Sequence, residues 1–144
     1  MKIHVFNTWI LAHGLHPFAM VAMFIAGGTA DSMVMEDVYI LLFMSCVAML
    51  LAIPTLFVSW YVLPKILRLP SSLLNRFFIW LASGCAIVVI NAGVALALVF
   101  RMGAEEVIIA VPALVATFVA LCVRFKSFIK LAAEYDRPVE PELN

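Results

Sequence analysis

His13, His16, Asn91 and three cysteines are the side chains in this 144-residue chain whose types and positions offer chemistry within long apolar runs. His13 and His16 are three residues apart, about 60° round an α-helix. That spacing presents two imidazoles on neighbouring faces, suited to a metal or to the iron of a haem. Two ligands from one helix do not complete a metal site, and a haem between helices usually takes a second axial ligand. The remaining histidine, His4, lies on the same segment. The structural use of the pair is two neutral rings, one bonded to a neighbouring helix and the other easing the turn before Pro17.

Cys46, Cys85 and Cys122 occur singly, without a C-x-x-C motif, and an odd count excludes complete intramolecular pairing. They read as reduced, inert, small apolar side chains. At ~1.5 Å per residue, Cys85, Cys122, His13 and His16 fall in one layer, roughly 19–24 Å from the outer ends of their segments. The chain has no H-E-x-x-H, G-x-S-x-G, Walker loop, G-x-G-x-x-G or calcium-loop pattern. Acid–base catalysis needs a positioned acid or base pair, and the apolar runs contain no Asp or Glu. No catalytic residue is predicted, and an enzyme is not expected.

Positioning these residues requires helices in lipid. The chain is 66% hydrophobic and 12% charged, with nine Lys plus Arg, nine Asp plus Glu and a mean hydropathy of +1.14. A soluble domain is about 45–50% apolar and about 25% charged. The composition therefore excludes a soluble globular enzyme, a disordered chain and a basic nucleic-acid binder. A backbone crossing hydrocarbon bonds internally, so apolar stretches of about 20 residues become helices. Four such spans are predicted at about 5–28, 38–63, 73–100 and 107–123. They predict an all-α integral membrane protein, a four-transmembrane-helix bundle of two hairpins occupying 1–135. The first stretch is too long for a signal peptide and lacks an A-x-A-like site, so it reads as a retained span.

Charge placement gives orientation. Lys2, Lys65, Arg68, Arg76, Arg124, Lys126, Lys130 and Arg137 fall on one side; the other carries Asp31, Glu36, Asp37, Glu105 and Glu106 with Arg101. Cations stay cytoplasmic, which predicts a plasma (inner) membrane protein with both termini inside. The cytoplasmic face then carries a basic rim of Lys65, Arg68, Arg76, Arg124, Lys126 and Lys130, suited to anionic headgroups or a partner. Pro64 and Pro70 bracket the second connection, and Ser71 or Ser72 caps the third span. Residues 124–135 extend the fourth span as a short cytoplasmic helix, and 136–144 form a disordered acidic tail. Phe57, Trp60, Tyr61, Phe77, Phe78, Trp80, Phe125 and Phe128 read as an inner interfacial belt.

Helix contacts in lipid collect small residues. Ser45, Ala48, Ala52, Thr55 and Ser59 form one stripe, and Ala110, Ala113, Thr117, Ala120 and Arg124 repeat its steps 65 residues later. The offset hints at duplicated hairpins, although the first and third spans do not align at it. These faces are expected to pack spans two and four against each other or against another subunit. Asn91 is expected to be an interhelical hydrogen-bond donor. Together these features point first to a non-catalytic membrane subunit or effector, in the lipid bilayer, that assembles as a homo-oligomer or with a membrane or cytoplasmic protein. A small oligomeric transporter or channel is the alternative. A haem- or quinone-associated redox anchor using His13 and His16 is another, no other cofactor being expected.

Overall fold

The computed structural model describes residues 1–26, 35–95, 97 and 110–136, and every extended element among them is helical. Along the chain run α1 (Lys2–Ala26), α2 (Met35–Leu51), α3 (Ile53–Leu67), α4 (Leu73–Ala95), α5 (Val111–Val123) and α6 (Phe125–Tyr135). The acidic connections with Asp31, Glu105 and Glu106, together with Arg101, the far ends of the first and third expected spans, the start of the fourth, and the tail beyond Asp136 with Arg137 lie outside the described residues.

Two helices, α1 and α4, are each long and apolar enough to cross a membrane, with window hydropathies of 1.6 and 2.1. The other two expected spans meet that test only as bent pairs, α2 with α3 at 45° and α5 with α6 at 57°. The described helices therefore supply two to four candidate spans, consistent with a membrane location.

The expected continuous helix over 38–63 is broken at Ala52. Pro54 has no N–H to continue the i→i−4 ladder, so the turn tightens. Ala52 N–H bonds to Ala48 O at 2.9 Å and Thr55 N–H to Ala52 O at 3.0 Å. Pro64, expected to mark a helix end, instead lies inside α3. It removes one ladder bond, and the buried Leu63, Ile66 and Leu67 hold the helix together past it. The connection shortens to 68–72, where Ser72 Oγ caps α4 by accepting from Asn75 N–H at 3.3 Å. The second bend falls at Arg124. Helix α5 has no charged residue, whereas α6 exposes Lys126, Lys130 and Glu134 on one side and buries Phe128 and Ala132 on the other. An amphipathic segment lies across the end of an apolar helix rather than prolonging it.

The helices form a ring. Broad contacts join α1 to α2, α3 and α5, α3 to α4, and α4 to α5. The α2–α3 pair thus stands diagonally across from α5. The most extensive contact, α1 with α5, follows from every-fourth stripes of buried residues. His4, Thr8, Ala12 and His16 supply one; Pro112, Ala116 and Ala120 supply the other. Small side chains at that step let two backbones approach. Close approach recurs between α4 and α5, where a Cβ on Gly84 would lie 2.8 Å from Leu121 Cδ1.

One end of the ring is solid. Val5, Leu56, Leu63, Ile66, Leu67, Phe77, Trp80, Leu121, Phe128 and Ala132 make a single core where α1 and α4 begin and α3 and α5 end. Helix α6 closes that end. Phe77 meets Phe125 and Phe128 with ring centroids at 4.6 and 5.7 Å. Several expected belt residues, Phe77, Trp80 and Phe128, are therefore core, whereas Phe57, Tyr61 and Phe78 face outward. Asp136, expected in the disordered tail, instead follows α6 directly and pairs with Arg76 through two bonds of 2.8 and 2.9 Å.

The Arg76 side chain is 10% exposed and that of Asp136 46%, so removing the carboxylate leaves a largely buried guanidinium without its partner. Asp136→Asn is expected to loosen α6 by about 1–2 kcal/mol, a charged hydrogen bond discounted for the exposed partner. Amide hydrogen exchange across 125–135 should quicken by roughly 5- to 30-fold, leaving α4 unchanged.

Candidate intramembrane cavity

The break in α2–α3 exposes carbonyls that a continuous helix would have bonded. With Thr55 N–H turned to Ala52 O, Leu51 O loses its ordinary i+4 donor. Asn91 Nδ2, on α4, donates to Leu51 O at 3.1 Å. Trp9 Nε1, on α1, donates to Ala52 O at 3.2 Å, and Thr55 Oγ1 adds a bond of 2.6 Å to the same oxygen. A buried backbone acceptor left without a partner costs several kcal/mol in hydrocarbon. Side chains from two other helices thus converge on one break.

The pair of histidines lies beside it. His13 Nδ1 is 2.8 Å from Trp9 O. A carbonyl only accepts, so Nδ1 carries the hydrogen and the neutral ring has its lone pair at Nε2. The Trp9 and His13 rings pack with centroids 4.3 Å apart. His16, one turn on, is buried, and its Nδ1 reaches Ser45 Oγ on α2 at 3.1 Å. Ser45 Oγ also lies 3.8 Å from Met20 Sδ, and its bond to His16 accommodates either tautomer of that ring. One ring thus bonds within its own helix and the other to a neighbouring helix.

Above the solid core these groups surround a cavity of about 180 Å³ between the helices. Most residues singled out in the sequence line it: His13 and His16 from α1; Ala48, Ala52, Thr55 and Ser59 from the bent pair; Asn91 from α4; and Ala110, Ala113 and Thr117 at the start of α5. The two small-residue stripes face this space from opposite corners of the ring. Ala120 is instead fully buried in helix contact, and Ser45 bonds His16 without lining the cavity. Trp9, Thr8 and Ala12 also line it, although composition did not single them out. The every-fourth spacing of Thr8, Ala12 and His16 was the available signal.

The basic residues lie apart from the cavity and differ among themselves. Lys65, Arg68, Lys126 and Lys130 are exposed, Arg76 is buried against Asp136, and Arg124 is partly buried with Nη2 3.4 Å from His4 Nδ1. Lys65 Nζ bonds Tyr61 Oη at 2.7 Å, and Arg68 Nε bonds Tyr135 Oη at 2.9 Å. The Tyr135 hydroxyl holds the Arg68 pKa above its ordinary value. Cys46 and Cys122 are exposed, Cys85 is half-buried, all three are free, and none lines the cavity. Among the described residues no group of three or more His, Cys, Asp or Glu could hold a metal ion.

Comparison of the chain with protein-family models, with curated proteins and with solved structures finds no match.

Two neighbouring alanines of α5 should respond oppositely to enlargement. Ala116→Leu overpacks the α1–α5 contact and is expected to cost about 1–3 kcal/mol. Ala113→Leu grows into the cavity and should be neutral or stabilising by up to about 2 kcal/mol, as read by unfolding of the purified protein in detergent. A double-mutant cycle tests the break. Asn91→Leu should cost about 0.6–1.7 kcal/mol in the natural chain. It should cost almost nothing in Pro54→Ala, where Thr55 N–H can return to Leu51 O.

Proposed function

We propose that this chain is a four-span integral membrane protein, N- and C-termini cytoplasmic, that binds a small, neutral, lipophilic molecule between its helices. The observation that carries this reading is the cavity at the break in α2–α3. It is lined mainly by apolar side chains and includes no Asp, Glu, Lys or Arg among the described residues. Its volume of about 180 Å³ is close to the ~150 Å³ apolar cavity that takes up benzene and well under the ~300–1,000 Å³ of sites for drug-sized ligands. A single ring or short chain matches it.

Access from the lipid is supported by an outer groove of about 190 Å³ between α3 and α4. Thr55, Ile87 and Asn91 line both groove and cavity, so a single layer of side chains separates them. Such a protein serves as an intramembrane receptor or as the binding half of a carrier cycle. The neutral lining favours uncharged cargo.

A membrane-subunit role is a second reading, favoured by the exposed Lys65, Arg68, Lys126 and Lys130 at the α6 end. The small-residue stripes support it less, because within one chain they face the cavity. Assembly as a homo-oligomer would use other faces.

The binding reading is tested with p-xylene as the probe, added to the purified full chain in lipid nanodiscs. The thermal midpoint is expected to rise with p-xylene concentration, and an Ala48→Leu, Ala113→Leu double variant, whose cavity is filled, should require at least about tenfold more probe. An unchanged midpoint for the natural chain would sink the proposal.

A further inference from the structure

Hydrogen-bond donors around the cavity are largely committed to acceptors of the protein itself. Thr8 Oγ1 donates to His4 O at 2.8 Å. Thr55, Trp9 and Asn91 donate to the two carbonyls at the break, His13 donates to Trp9 O, and His16 bonds Ser45 Oγ. What His13 has left to offer is the Nε2 lone pair, while Asn91 keeps its Oδ1 lone pairs together with a second Nδ2 hydrogen. Trp80, which also lines the cavity, has a buried Nε1 without a hydrogen-bond partner. The hydroxyls of Ser59 and Thr117, which also line it, accept as readily as they donate. The lining therefore suits a ligand that gives a hydrogen bond to His13 Nε2 and can also take one.

The absence of a formal charge among the described lining residues disfavours an ammonium group as the donor, since a cation in low dielectric requires a counter-charge. Volume restricts the body of the ligand to about one six-membered ring.

The geometry points to a neutral, single-ring hydroxyl compound, a phenol or hydroquinone, whose O–H is accepted by His13 Nε2 or Asn91 Oδ1. This inference rests on the intramembrane-binding reading above and adds the ligand's chemical class. The step is binding alone, with no proton or electron transferred. In a site of low dielectric an O–H bonded to imidazole nitrogen is stronger than in water, so the hydroxyl contributes orientation as well as affinity.

Two probes of nearly identical shape separate the ring from its hydroxyl: p-cresol and p-xylene, compared at equal concentration in the bilayer. The purified full chain in nanodiscs should bind p-cresol about tenfold more tightly. The ¹⁵N resonance of a histidine Nε2 should shift on adding p-cresol and stay in place with p-xylene, a readout that a purely structural role would not move. In His13→Phe with His16→Phe, p-xylene binding should persist and the preference for p-cresol should fall to about twofold or less, the retained p-xylene binding showing that the variant is folded. If that variant fails to fold, the resonance shift in the natural chain decides alone. Equal affinity for both probes with no Nε2 shift would overturn the donor inference while leaving intramembrane binding intact. Failure of both probes to bind would overturn the binding reading itself.

Discussion

Pro54 has no N–H, and in hydrocarbon no water replaces the bond it cannot make. At the break beside it Thr55 N–H turns from Leu51 O to Ala52 O, so the Leu51 carbonyl must be answered from within the protein, and that requirement helps organise the upper half of the bundle. Trp9 must lie where its indole reaches Ala52 O, which sets the rotation of α1. Asn91 must reach Leu51 O, which sets α4. His13 then falls against Trp9 and His16 against Ser45 because both follow on the same helix at fixed steps. The break beside Pro54 thus draws faces of three helices together, and the cavity is the space left between those faces.

The other end is held by different physics. There the side chains are large, and Phe77, Phe125 and Phe128 meet edge to face while Arg76 ties down Asp136. Aromatic packing and a half-screened ion pair make α6 a cover rather than a free extension. The bundle consequently has one end organised by bulk and one by backbone polarity.

Much of this was legible in the chain. Helical class and candidate spans follow from apolar run lengths, because lipid permits few alternatives. Asn91 as an interhelical donor and Ser72 as a cap follow from local chemistry. The bends did not follow. Proline is punctuation in a local pattern, yet at Pro64 buried neighbours carry the helix through, and at Pro54 partners on α1 and α4 make the break tolerable. Those partners are remote in sequence, so no local pattern discloses them. The small-residue stripe of α5 was seen one notch round from the face that packs. Ala110, Ala113 and Thr117 face the cavity while Pro112, Ala116 and Ala120 form the packed edge. Both are small, and composition cannot say which small residues meet a backbone and which meet a space.

That ambiguity bears on why the cavity is there. Space of this kind normally weakens a protein, because the side chains around it lose packing contacts. The chain is not short of bulky apolar residues, and Leu or Met in place of Ala48 or Ala113 would close the space without touching the α1–α5 seam. Instead, alanines stand at the wall, and a proline creates a break that must be repaired by side chains from two other helices. A bundle built only to be stable would have Leu at the wall and a continuous helix in span two. Keeping both the break and the space makes physical sense when an occupant supplies the missing contacts.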